Sequence, residues 1–219
     1  MRKVVKTLAL LNKKEQIYTI IKERILKEEY QMGAPLNIRQ ISAELGVSNS
    51  PVREALNLLE KEGLVVISPN NVPRIVELNR EDMFEISQMI FFWIVGAYRF
   101  CVHVHKTDEL CEKMAEYLEK QKQTAASDDL HGYTHNSIYF DRCVIEVAGN
   151  KRLLMQFDLI YPIFYLCTLA IHRNEEERQT CVSQHEKILL ATKEERFPDA
   201  TDAFAEHYYQ DAWGGESIR

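Results

Sequence analysis

The sequence predicts a mostly α-helical protein: an N-terminal winged helix-turn-helix with a small β wing, followed by an all-α antiparallel bundle of about six helices. Three observations carry this. Two short helical patterns meet at Gly46 within Asn37 to Val65, two β-branched runs follow them, and from Arg80 onward nothing reads as strand. Polar and basic residues gather at the start of the second helical pattern, beside an apolar stripe.

Each element has a local reason. Lys14 to Tyr30 places Ile17, Ile20, Ile21, Ile25 and Leu26 at three- and four-residue spacing, an amphipathic helix able to buttress the two short helices after it. Gln31 to Pro35 breaks it. Asn37 with Gln40 three positions on has the spacing of a reciprocal capping box, and Ile38, Ile41 and Leu45 fall on one face. Gly46 suits the left-handed position that ends a helix, with Val47 packing back. Ser48 or Ser50 can cap the next helix, Pro51 fits its first turn, and Val52, Ala55, Leu56 and Leu59 form its buried face up to Gly63. Leu64 to Ile67 and Arg74 to Leu78 read as a two-stranded wing turning at Pro69-Asn70-Asn71. Helices are expected at about 81 to 104, 107 to 126, 129 to 148, 151 to 173, 176 to 195 and 199 to 212, with Pro198-Asp199 as the last break. The domains are then an arm (1–13), the winged unit (14–78) and the helical unit (79–219), whose end, WGGESIR, is expected to fray.

A helix-turn-helix inserts its second helix into the DNA major groove. The formal charge of −6 is unsuited to that until it is divided: residues 1 to 80 carry net +4, the remainder net −10. Local charge is what phosphate meets. Arg39 and Arg53 are the candidates for base edges, with Ser48, Asn49 and Ser50 at the recognition-helix N-terminus and Asn70 and Asn71 at the wing tip. The competing role for Arg53 is a surface ion pair with Glu54 or Glu60. Affinity for two half-sites calls for a homodimer on double-stranded DNA. Five scattered cysteines, odd in number and without CxxC spacing, argue against a disulfide framework or a structural zinc site and fit a reducing cytoplasm. The basic N-terminus lacks a cleavage signal, and the apolar run Met89 to Tyr98 is about half a bilayer span, so neither a leader nor a membrane is expected.

GVSNSPVREALNLLEKEGLV resembles the winged-helix domain of GntR-type bacterial transcription regulators, and the likeness covers about Lys14 to Val76. Such domains commonly carry an arginine where Asn49 stands and a glycine near Pro73. FDRCVIEVAGNKRLL, QHEKILLA and DATDAFAEHYYQD are similar in order and spacing to the helical effector domain of the FadR branch, called FCD. The resemblance implies a divalent metal (Zn, Ni or Mn) and a small-molecule effector, an organic acid or a more apolar metabolite. It maps the later metal histidines onto His185 and His207, the family Asp onto Ser137, the first His onto Asp141, the effector arginine onto Ile90 and a following glutamate onto Ile94.

Asp141, His185 and His207 are therefore the candidate metal ligands, an N,N,O set projected from bundle helices. Ile90, Ile94 and Ser137 are candidate pocket residues; Tyr139, Tyr161 and Tyr165 are candidates for the same lining or for the core. His103 and His105, two positions apart, do not share a helical face. The function expected is an effector-controlled DNA-binding regulator, a repressor by the family's commoner mode. The alternatives are a DNA-binding dimer with a vestigial sensor and a metal-dependent enzyme. No nucleophile with an adjacent base, phosphate loop or catalytic carboxylate pair supports the enzyme.

Overall fold

The computed structural model describes residues 12–68, 70 and 72–213. The wing residue Asn71, most of the N-terminal arm and residues 214–219 of the C-terminal segment lie outside them. The chain forms two compact units, residues 1–77 and 78–219.

In the first unit α1 (Lys13–Leu26), α2 (Ile38–Leu45) and α3 (Asn49–Lys61) precede a two-stranded sheet of β1 (Val65–Ile67) and β2 (Pro73–Ile75). Asn12 and Glu15 form a reciprocal capping box that starts α1. This helix ends at Leu26 rather than Tyr30, because Glu28 turns left-handed (φ 56°) and Glu29 N–H closes back on Arg24 C=O. Ile17, Ile21 and Ile25 bury against the stripe of Val52, Ala55, Leu56 and Leu59 on α3. Acidic residues pin the packing from outside: Glu62, after α3, meets Tyr18 and Lys22, and Glu44 on α2 meets Arg24 at 3.0 Å.

Asn37 accepts from Arg39 and Gln40 N–H, but the expected box is only half made. Gln40 turns instead to Glu44, one turn on, at 3.0 Å. Gly46 takes φ 64°, and Val47 N–H reaches Ser42 C=O at 3.0 Å, closing the turn into α3. The sheet is antiparallel, Val65 opposite Ile75 and Ile67 opposite Pro73. β2 is shorter than expected, yet its second edge is used: Leu36 N–H donates to Pro73 C=O and Ile75 N–H to Ala34 C=O. Pro73 opens β2, where its missing donor removes no ladder bond.

The second unit is α4 (Arg80–His103), α5 (Thr107–Ala125), α6 (Leu130–Ala148), α7 (Lys151–Ile171), α8 (Glu175–Lys193) and α9 (Phe197–Trp213). Connections of two to four residues make sequence neighbours run antiparallel. Helix α5 packs along α6 and α8, α9 along α8 and α4, and α6 against α4 and α7. Asparagines cap three of these helices, Asn79 for α4, Asn150 for α7 and Asn174 for α8. Asp129 caps α6 through Gly132 N–H, and a Cβ at Gly132 would lie 2.2 Å from the Asp129 carboxylate. Helix α9 begins two residues before its expected start at 199: Pro198 sits in its first turn, where no intrahelical donor is needed.

Helices α4 and α7 are long and apolar enough to cross a bilayer by length and composition, so the shortness of the apolar run 89–98 does not decide their place. Packing does. Ile90, Ile94, Tyr98 and Cys101 are fully buried, and Tyr98 meets the Thr192 hydroxyl at 3.1 Å inside the bundle. Tyr98 also packs edge-on against Phe204.

Candidate functional site

The first unit presents a polar surface on and around α3. Ser48 is the N-cap residue, but its side chain makes no bond to the helix. The first-turn amides and the positive end of the helix dipole therefore keep no side-chain acceptor of their own. Asn49 and Ser50 are exposed in that turn, and Arg53 is exposed one turn along. Arg39 is exposed on α2. Among the described residues neither arginine has an ion pair, whereas Arg24 and Lys22, on the buttress helix, both do. Arg53 does not meet Glu54, which faces Ser50 at 3.5 Å. A groove lined by Ile38, Arg53, Leu56, Asn57, Ile67, Asn70 and Pro73 joins the recognition helix to the wing. Asn57, one turn after Arg53, was missing from the sequence-based set; its i+4 spacing from Arg53 was the available signal.

The second unit concentrates its buried polar groups at one place. His185 on α8 and His207 on α9 approach through Nε2 at 3.4 Å. His185 Nδ1 lies 2.7 Å from Gln121 Oε1, and His207 Nδ1 lies 2.8 Å from Gln184 Oε1. An amide oxygen only accepts, so each Nδ1 carries the proton and each Nε2 offers a lone pair. Burial, then the neighbouring His207 and His172, hold His185 well below the usual histidine range, so it is neutral. Phe140 stacks on the His185 ring at 3.9 Å and fixes its plane. Asp141 Oδ2 is 3.9 Å from His207 Nε2, while Oδ1 accepts no hydrogen bond. Burial pushes the Asp141 carboxyl up to about 7.

Two facing lone pairs beside a buried carboxyl group, which the Tyr208 hydroxyl also approaches, make a site where a proton or a cation relieves the repulsion. The fit to an ion is close: two imidazoles on one tetrahedral zinc, with bonds of about 2.0–2.1 Å, stand about 3.3 Å apart. Gln121 and Gln184 orient the rings as hydrogen-bond partners of ligating histidines do in metal sites. The set that could hold a divalent ion is His185, His207 and Cys181, which sequence reading missed, with their ligand atoms within 4.8 Å of one another; the expected ligand Asp141 falls outside that set, 3.9 Å from His207.

Beside this cluster lies a cavity of about 30 Å³ lined by Ser87, Ser137, Asp141, His172, His207 and Tyr208, with Phe164 and Ile171 among its apolar walls. A cavity of that size has room for ordered water. Other candidate residues lie elsewhere. Ile90 and Ile94 are completely buried and do not line the cavity; Ser87, on the same stripe of α4 and one turn earlier, does. Tyr139, Tyr161 and Tyr165 do not line it either. Tyr139 is two residues from both Ser137 and Asp141, which turns it to the other side of α6. There His135 meets the Tyr161 hydroxyl at 3.1 Å, His131 meets that of Tyr165 at 2.7 Å, and Arg142 lies over the Tyr139 ring.

Known proteins match both units. The family described as "Bacterial regulatory proteins, gntR family" matches residues 13–72, and the FCD domain matches residues 99–210. The chain is 24% identical over 201 residues to the HTH-type transcriptional regulator YdhC of Bacillus subtilis (strain 168), covering 90% of this chain and 88% of that one. It is 27% identical over 177 residues to a probable D-xylose utilization operon transcriptional repressor of Paenarthrobacter nicotinovorans, covering 80% and 76%. The fold is shared with a crystal structure of a GntR transcriptional regulator from Rhodococcus sp. RHA1 (TM-score 0.72, 16% identity, 93% of this chain and 99% of that one). The protein is a DNA-binding transcriptional regulator rather than an enzyme, and it belongs to the GntR family, with a winged helix-turn-helix followed by an FCD effector domain.

Proposed function

We propose that this regulator binds its operator as a homodimer, reads base edges with Arg39, Asn49 and Arg53, and holds phosphate with Ser48, Ser50 and the α3 amides. Asn70 and Asn71 serve the wing contact. A divalent ion on His185 and His207, with Asp141 beside them, forms the sensing centre, and its occupancy shifts the equilibrium between operator-competent and incompetent dimers. As in the related xylose repressor, the mode is repression. The place of action is the cytoplasm, where the DNA is.

The observation that carries the sensor reading is the pair of Nε2 lone pairs facing at 3.4 Å, each set by its own glutamine. A vestigial site has no reason to keep both imidazoles so oriented. An organic-acid effector finds no arginine at Ile90, and the cavity beside Asp141 is small, about 30 Å³. The ion is then the group able to receive a carboxylate or other small ligand, once the cavity widens. Dimerisation is supported by apolar side chains left on the surface of the second unit: Phe92 and Phe100 on α4, Val104 just after it, and Met155 and Leu159 on α7. A Phe100→Glu variant is expected to sediment as a monomer at concentrations where the parent is a dimer.

The test is selection of genomic DNA fragments by the full chain, metal-free and zinc-loaded. Sequence-selective recovery that changes with the ion is expected. Equal recovery in both states would leave the DNA-binding role and remove the sensing one.

A further inference from the structure

We propose that Cys181 joins His185 and His207 as a ligand of the metal centre, bound as a thiolate, so that the site takes a thiophilic divalent ion of the zinc type in preference to manganese. The inference rests on the metal reading above, and it adds a residue that no counterpart in the FCD resemblance supplies.

Cys181 precedes His185 by four residues on α8, so both side chains leave the same face one turn apart. Its Sγ and the ligand nitrogens of His185 and His207 lie within 4.8 Å of one another, and Cys181 and His185 are wholly buried. The surroundings of the sulfur suit a thiolate. Gln121 Nε2 donates to it at 3.4 Å, and the Ser137 hydroxyl lies 3.5 Å away. Other buried thiols differ in kind: Cys143 and Cys101 donate to the Phe140 and Val144 carbonyls, as protonated groups do.

Gln121 ties the arrangement together. Its Oε1 receives the His185 Nδ1 proton while its Nε2 faces Cys181, so one amide aims two ligands at one point. Ser137, where the family resemblance places a carboxylate ligand, puts a neutral hydroxyl beside the sulfur instead. The thiolate offsets part of the charge of the ion, and Asp141, 3.9 Å from His207 Nε2, lies close enough to offset more of it from beside the site. On binding, the Cys181 S–H bond breaks, an S–metal bond forms and the proton passes to buffer, while the imidazoles are already neutral. Thiolate ligation favours zinc over manganese, whose preferred ligands are oxygens.

Cobalt(II) titration of the reduced, metal-free full chain tests this. Visible ligand-field bands report occupancy of the site, and a near-ultraviolet thiolate-to-cobalt charge-transfer band reports sulfur. Both are expected, and zinc but not manganese should abolish them by competition. Cys181→Ser should keep the visible bands, lose the charge-transfer band and bind zinc about tenfold or more weakly; Cys143→Ser should keep both bands. Visible bands without charge transfer in the parent would overturn the Cys181 assignment and leave the metal centre standing. Absence of both would overturn the two together. The parent spectrum decides even if Cys181→Ser fails to fold, which its circular dichroism would reveal.

Discussion

The two units treat their polar groups in opposite ways. The winged unit spends its acidic side chains on the buttress, Glu62 on Tyr18 and Lys22 and Glu44 on Arg24, and leaves Arg39 and Arg53 exposed with no ion pair among the described residues. The helical unit keeps its solvent face threaded with pairs such as Lys120–Glu116 and draws Asp141, Cys181, His185 and His207 inside. Exposed cations held away from carboxylates are ready for phosphate and guanine; buried imidazole lone pairs facing one another are ready for a cation. The lesson is that recognition in the first unit is surface chemistry laid over an apolar core, whereas in the second it is part of the core. Substitutions should separate accordingly.

The largest effect belongs to the core that frames the buried centre. Phe204→Ala removes a fully buried ring packed on Tyr98 and is expected to lower stability by about 3–5 kcal/mol in chemical denaturation. Next is the centre itself. Zinc at a hundred times its dissociation constant should stabilise the parent by about 2.7 kcal/mol, and His207→Ala should lose that gain in thermal melts. Arg53→Ala should weaken operator binding by about 1–3 kcal/mol, roughly 5- to 150-fold, with stability changed by no more than about 0.5 kcal/mol. A large loss of stability there would mean that Arg53 belongs to the fold and would break the contrast. The smallest effect is at the α2 cap: Asn37→Ala should cost about 1 kcal/mol of stability, since its side chain satisfies the Arg39 and Gln40 amides.

How much was legible in the sequence depends on the range of the forces involved. Caps and stops act over a few residues, so Asn37, Gly46, Asn79, Asn150 and Asn174 mark helix ends without reference to the rest of the chain. Where a local signal competed with another, the reading slipped: Gln40 had Glu44 as an alternative partner, and Pro198 could open a helix as readily as end one. The DNA-facing candidates lie within one short motif, and the structure brings Arg53, Asn57 and Asn70 to one groove. The buried cluster is assembled from α5, α6, α8 and α9, and its completion depends on packing. The i, i+4 relation of Cys181 and His185 becomes a ligand pair only once α9 returns His207 beside it. Gln121, 64 residues before His185, could not be read as its orienting partner from spacing at all. For the tyrosines, read as lining or as core, the two-residue offset along α6 that turns Tyr139 away from Asp141 was the signal against the lining.

The most direct measurement is the affinity of the full chain for a selected genomic fragment across a salt series, metal-free and zinc-loaded, for the parent and for an Arg39→Ala/Arg53→Ala variant. The parent should bind with a steep inverse dependence on salt and with different affinities in the two metal states. The variant should bind far more weakly in both while its helical unit still takes up zinc. Binding that is indifferent to the two arginines, to salt and to the ion would contradict the account.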